Sequence, residues 1–117
     1  MADVQYLIEL TISEGNEDEF AAKAAAYSQA TESSESGTLG YNWYRAEKGA
    51  TCVLHERFDS SESLLTHLGN VGPSLPELLA IAPITRFEVL GAISSEARAA
   101  LDTLGVAYFT HLAGFTR

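Results

Sequence analysis

The residues of this chain whose types could do chemistry are a few aromatic rings and a few titratable groups. Tyr41 and Trp43 stand two apart in the stretch "GTLGYNWYR", 37–45, with Tyr44 directly after them. Phe20 and Tyr27 lie upstream at helical spacing. Rings of this kind, with an aliphatic neighbour such as Leu64, wall a pocket for a flat aromatic ligand. His67 or His55 could take a proton from that ligand, because imidazole titrates near neutral pH. Arg86 could hold the anion left behind, and Asn42 or Tyr44 could orient it.

Each of these residues also has a plainer role. His67 falls at the flank of the Leu64, Leu65, Leu68 stripe, a place for a half-exposed helix residue. His55 alternates with Val53 and Arg57 and faces either solvent or a subunit contact. Arg86 shares a strand face with Glu88, and a cross-strand ion pair is its simpler use. Glu56 shares a face with Cys52, Leu54 and Phe58, where a carboxylate needs a partner; a structural hydrogen bond is at least as good a reading as acid–base work. Cys52 is the only cysteine, so no disulfide forms within the chain, and it reads as an inert buried thiol. His55, His67 and His111 show no short ligand spacing, so no metal site is expected. "GTLG" opens a strand with no helix behind it and is not a phosphate loop. No Ser-His-Asp arrangement is legible.

The elements that must position these groups follow from periodicity. "VQYLIELTI", 4–12, alternates as a strand with Val4, Tyr6, Ile8, Leu10 and Ile12 on one face. Asn16 and Glu19 have capping-box spacing, and Phe20, Ala24 and Tyr27 form one helical stripe that "TESSESG" ends. Strands over about 38–47 and 51–59 form a hairpin around "EKGA". Asp59 with Glu62 predicts the start of the next helix, and Ser74 with Glu77 that of a short one. Residues 84–90, "ITRFEVL", read as a strand. Ser94 begins a last helix, with Gly105 just past its end; "VAYFTHLAGF" is either a final strand or an irregular tail.

Up to residue 91 the order is that of a ferredoxin-like βαββαβ fold of the α+β class, with an antiparallel sheet and helices on one face. The expected organisation is one domain over 1–117, a core over 1–91 and a C-terminal extension over 92–117. A bare second sheet face that carries Leu7 calls for a partner, so a homodimer is expected. Sixteen acidic residues against seven basic ones give a net charge of -9, which disfavours nucleic acid and anionic membranes. No apolar run reaches the roughly 20 residues of a membrane span. The first ten residues lack a basic n-region, and a cytoplasmic location is expected.

Four features resemble the antibiotic biosynthesis monooxygenase family: a Gly-Thr-Leu-x-Tyr strand, a second strand ending Glu-x-aromatic, an Asp-x-x-Glu helix start, and a histidine late in that helix. They are carried by Gly37, Thr38, Leu39, Tyr41, Glu56, Phe58, Asp59, Glu62 and His67. The resemblance implies a dimeric α+β barrel. Related barrels include cofactor-free quinol and phenol oxygenases and haem-degrading enzymes. The Asn-Trp-His set of the haem-degrading group is not matched, since the first strand has no Asn and Trp43 lies on a different strand. The resemblance therefore implies a cofactor-independent monooxygenase that takes a quinol-like or polyphenolic substrate and dioxygen, with no bound cofactor. Catalysis would fall to His67, Arg86 and Asn42, and substrate binding to Tyr41, Trp43, Tyr44, Phe20, Tyr27 and Leu64. The competing readings are a non-catalytic dimer that binds a small aromatic or lipophilic molecule, and a dimeric module without a ligand.

Alternation puts Leu39, Tyr41, Trp43 and Arg45 on one face of their strand, and Gly40, Asn42 and Tyr44 on the other. The Tyr41–Trp43 face, the larger apolar surface, is the expected cavity side.

Overall fold

A computed structural model describes residues 3–117. The alternating first segment forms β1 (Val4–Thr11), and its apolar set, Val4, Tyr6, Ile8 and Leu10, is buried. There follow α1 (Glu17–Ser34), β2 (Thr38–Arg45), β3 (Thr51–Phe58), α2 (Ser61–Val71), α3 (Leu75–Ile81), β4 (Ile84–Leu90), α4 (Ser95–Leu101) and β5 (Ala107–Phe109). Single 3₁₀ turns at Gly72–Ser74 and Asp102–Leu104 lead into α3 and out of α4.

The strands lie in the order β2-β3-β1-β4-β5. The first four pair antiparallel, as the βαββαβ plan requires. The fifth pairs parallel to β4 along Glu88–Leu90, which makes the sheet mixed. The C-terminal extension is thus α4, a 3₁₀ turn, a three-residue strand and an irregular tail. It is tied to the rest at several points. Gly91 N–H donates to the Phe109 carbonyl at 2.9 Å. Ser94 N–H donates to Ser61 Oγ of α2 at 2.9 Å. Within the extension, the Tyr108 hydroxyl donates to Asp102 at 2.7 Å, and the Arg98 guanidinium stacks 3.9 Å above the Tyr108 ring.

Local signals are used somewhat differently from the expectation. The run "TESSESG" does end α1, at Ser34, although Ser33 and Ser34 both donate back to the Ala30 carbonyl and stay helical. Asn16 occupies the N-cap without a side-chain bond, while the Glu17 carboxylate accepts from Gly15 N–H. Ser60, not Asp59, caps α2 by accepting from Ser63 N–H at 3.1 Å; Asp59 instead accepts from the Ser63 hydroxyl. Ser74 is already in a helical conformation and makes no side-chain cap, since the 3₁₀ turn runs directly into α3. Ser94 caps α4 as expected.

The pairing register sorts the side chains. Tyr6, Glu56 and Tyr41 form one cross-strand row on β1, β3 and β2, and Ile8, Leu54 and Trp43 form the next. Phe87 and Val89 of β4 join them, and this face is the buried one. Gln5, Leu7, Glu9, Asn42, Tyr44, Val53, His55, Arg57, Arg86 and Glu88 alternate onto the other face.

A bulge at Leu39 changes the predicted faces of β2. Thr38 pairs with Phe58 and Gly40 with Arg57, so Leu39 is the extra residue. Leu39 is therefore 51% exposed and does not share the Tyr41–Trp43 face. Thr38 turns inward instead and donates to Glu35 at 2.9 Å.

Candidate active site

The site grows from the inner face of α2. Leu64 and His67, three residues apart, are its buried positions, while Leu65 and Leu68 lie to the side. The helix is thus rotated so that the histidine sits at the centre of its stripe rather than at the flank. Burying an imidazole is unfavourable unless its nitrogens are satisfied. Here both meet carboxylates. Nδ1 lies 2.8 Å from Glu35 Oε1, and Nε2 lies 3.0 Å from Glu56 Oε1. His67 is 2% exposed, Glu56 3% and Glu35 7%. Tyr41 packs against the ring in a T-shaped contact and Phe58 in a tilted one, with centroids 5.3 and 5.5 Å away.

The two carboxylates are not equivalent. Glu35 is the C-cap residue of α1. It accepts from the Thr38 hydroxyl at 2.9 Å and the Asn70 amide at 3.1 Å as well as facing His67. Glu56 has no such set. Its Oε1 lies 3.0 Å from Nε2 in a poorly aligned contact and has no other hydrogen-bond partner. The Tyr6 and Tyr27 hydroxyls are also buried without partners.

These three unpaired atoms belong to residues that line one cavity of about 40 Å³ between sheet and helices. Tyr41, Trp43 and His67 line it too, with Leu75, Leu78 and Leu79 on the helical wall. Its free volume holds about three water-sized molecules. A ring-sized ligand therefore has to displace lining side chains. Leu104 of the C-terminal extension completes the lining, so the extension helps to close the cavity.

Burial pushes the Glu56 carboxyl up from its ordinary range, against the hydrogen bond and charge of His67, and the Glu35 charge adds to the rise. Burial alone would lower His67, but the hydrogen bond and charge of Glu56, followed by Glu35, outweigh it and raise the imidazole. Burial also raises the Tyr6 and Tyr41 phenols, with Glu56 adding to both. The cluster can accept, hold and return a proton out of contact with bulk water.

The structure brings together part of the set expected from sequence. His67, Tyr41, Trp43 and Tyr27 line the cavity. Phe20 does not, and packs edge-on behind Trp43 at 5.6 Å. Trp43 Nε1 donates to Ser28 Oγ at 3.1 Å. Leu64 is fully buried in the core, away from the cavity wall. Asn42, Tyr44 and Arg86 are on the opposite sheet face and cannot reach the cavity, because strict alternation turns them away. Tyr44 is 58% exposed, and Arg86 pairs with Glu88 of its own strand at 2.9 Å. His55 is on that face as well, 2.7 Å from Gln5 Oε1. Cys52 is buried, and burial raises its thiol above the ordinary range.

Sequence reasoning passed over Tyr6 and Glu35 as site residues and weighed a structural bond for Glu56 at least as highly as acid–base work. Tyr6 and Glu56 carried a signal, since each alternates onto the apolar face of its strand. Glu35, inside a polar run that reads as a helix terminator, carried none. Among the described residues no cluster of three or more His, Cys, Asp or Glu is arranged to hold a metal ion. Glu35 and Glu56 approach opposite nitrogens of one ring and do not converge on a point. Also among the described residues, no helix is long and apolar enough to cross a membrane.

The fold and site define a class: ferredoxin-like α+β proteins with a small cavity between the helices and one sheet face. Residues 5–73 match the model of the antibiotic biosynthesis monooxygenase family, and the chain belongs to that family. Membership supports monooxygenase-type chemistry in general. MupZ from Pseudomonas fluorescens is similar at 25% identity and a TM-score of 0.86, over 100% of this chain and 96% of that one. Rv0793 from Mycobacterium tuberculosis is 24% identical with a TM-score of 0.61, over 80% and 97% of the two chains. SnoaB from Streptomyces nogalater, a cofactor-independent oxygenase, is 14% identical with a TM-score of 0.60, over 81% and 97%. No curated protein matches the sequence.

Proposed function

We propose that the protein is a cofactor-independent monooxygenase acting on a small quinol-like or polyphenolic molecule. The observation that carries this reading is the buried His67–Glu56 couple at a cavity lined by Tyr41 and Trp43, where the Tyr6 and Tyr27 hydroxyls are unpaired. A phenolic ring packs against Tyr41 and Trp43. The couple removes its hydroxyl proton, which makes the ring electron-rich enough to reduce dioxygen directly. One oxygen atom then enters the substrate and the other leaves as water, with the substrate supplying the electrons. The free hydroxyls of Tyr6 and Tyr27 are donors for the negative oxygen that forms. SnoaB, described as a cofactor-independent oxygenase, has a similar fold and is consistent with such chemistry.

We further infer a homodimer that covers the open sheet face, where Leu7 and Val53 are only half-buried and Tyr44 is exposed.

Purified protein stripped of metal and flavin is expected to accelerate oxygen uptake with reduced quinols. His67→Ala is expected to slow that uptake about tenfold or more. An uptake rate no higher than autoxidation across a panel of quinols would end the oxygenase reading. The small, mainly aliphatic cavity favours a second reading, a non-catalytic binder of aromatic or lipophilic molecules. That reading predicts a ligand-dependent rise in melting temperature without turnover.

A further inference from the structure

His67 has no nitrogen left for a ligand. Nδ1 and Nε2 each face a carboxylate, at 2.8 and 3.0 Å, and Tyr41 and Phe58 pack against the ring. Glu56 is in the opposite situation. It lines the cavity, is 3% exposed, and its Oε1 has no partner besides the poorly aligned Nε2. A buried carboxylate oxygen whose near donor is poorly aligned keeps acceptor capacity on the cavity side, so a ligand hydroxyl reaching it gains a charge-assisted bond. Glu35 does not line the cavity and is anchored by Thr38 and Asn70.

We propose that Glu56, not His67, is the catalytic residue that takes the substrate's hydroxyl proton, and that His67 and Glu35 are positioning residues acting through it. The proposal rests on the oxygenase reading only for the steps after that proton transfer. In the transfer itself, the phenolic O–H bond breaks, the proton joins a Glu56 carboxylate oxygen, and the electron pair stays on the phenolate oxygen. Nothing is oxidised or reduced. His67, protonated and held by Glu35, keeps Glu56 ionised until the substrate arrives. The titratable groups facing Glu56 are His67 from α2, Glu35 from the end of α1, Tyr41 from β2 and Tyr6 from β1. The rise of Glu56 above the ordinary carboxylate range brings a base closer to neutral pH, where it transfers protons best.

The test uses the full chain with two readouts. In oxygen uptake with a quinol, Glu56→Gln is expected to lower kcat about 100-fold or more with little change in KM. Glu35→Gln is expected to lower it by about tenfold, the smaller loss of a group that acts through another. In the imidazole ¹⁵N spectrum, Glu35→Gln should release the Nδ1–H that the wild type holds fixed. The second readout needs no oxygenation. 4-Nitrophenol bound to the wild type should ionise, and an infrared difference spectrum should show a carboxylic acid band that Glu56→Gln removes. Should that variant fail to fold, Glu56→Asp, which shifts the band, replaces it. The proposal is overturned if Glu56→Gln keeps kcat within about threefold of wild type. It is equally overturned if the wild type neither binds nor ionises the phenol, or if the band survives Glu56→Gln. An ionised phenol with the Glu56 band but no oxygen uptake would instead remove the oxygenase reading and leave Glu56 as the base.

Discussion

At the residue scale the protein is organised around one proton-holding cluster. Glu56 and His67 both titrate above their ordinary values, Glu56 through burial and His67 through its two carboxylate partners. Groups with raised values bind more protons folded than unfolded, so their contribution to stability falls as pH rises. The fall begins near the ordinary Glu value of 4.5 and is joined by His67 from 6.5 upward. Each proton held only by the folded state changes stability by about 1.4 kcal/mol per pH unit. The urea midpoint is therefore expected to drop between about pH 5 and 8 in the wild type. In Glu56→Gln, which removes one of the two groups, the drop should be shallower. An equally steep profile in that variant would mean that Glu56 carries no raised value. Little of the cluster was legible in the sequence. His67 and Glu56 could be marked as candidates from their positions. Their partnership could not, because Glu35 and His67 are 32 residues apart and meet only after α2 has docked.

At the element scale the decisive feature is the start of β2, which sets where α2 begins. Gly37 accepts from Asp59 N–H through its carbonyl at 2.9 Å. A Cβ placed on Gly37 would overlap Ser63 Oγ and come within 2.7 Å of Ser63 Cβ. That glycine is required by close approach, not by backbone conformation. Gly37→Ala is expected to push the first turn of α2 outward and to cost about 1–3 kcal/mol in urea unfolding. Ser63→Gly in the same background should recover part of that loss, and a strictly additive pair would show that the contact is not the cause. The bulge at Leu39 acts next. It turns Thr38 toward Glu35 while keeping Tyr41 in the cavity row. Simple alternation placed Tyr41 and Trp43 on the correct side but misplaced Leu39, because a one-residue insertion leaves no mark in hydrophobic pattern.

At the scale of the whole molecule, the helices cover one sheet face and the other stays open. That face mixes Leu7, Val53 and Tyr44 with Glu9, His55, Arg57 and the Arg86–Glu88 pair. A homodimer through it is expected to scatter light at twice the 12.6 kDa mass of the chain. Val53→Glu places a charge at the middle of that face and should shift the species toward monomer. A monomer at micromolar concentration in the wild type would sink the dimer. The C-terminal extension belongs to this scale too. It adds β5 beside β4 and supplies Leu104 to the cavity, although its sequence shows only a helix and an ambiguous tail.

The sequence by itself determined the order of elements up to residue 91, the inward row of β1, the inward placing of Tyr41 and Trp43, and the family resemblance. Those features depend on local period and spacing, which the chain carries wherever it folds. Only the tertiary structure decided which polar groups meet. Removing Asn42, Tyr44 and Arg86 from the cavity required the sheet register. Joining Glu35, His67 and Glu56 required the rotation of α2 and the bulge in β2. Each of those is settled by packing between segments far apart in sequence, where shifting one residue in a strand, or turning a helix by a single position, changes every partner.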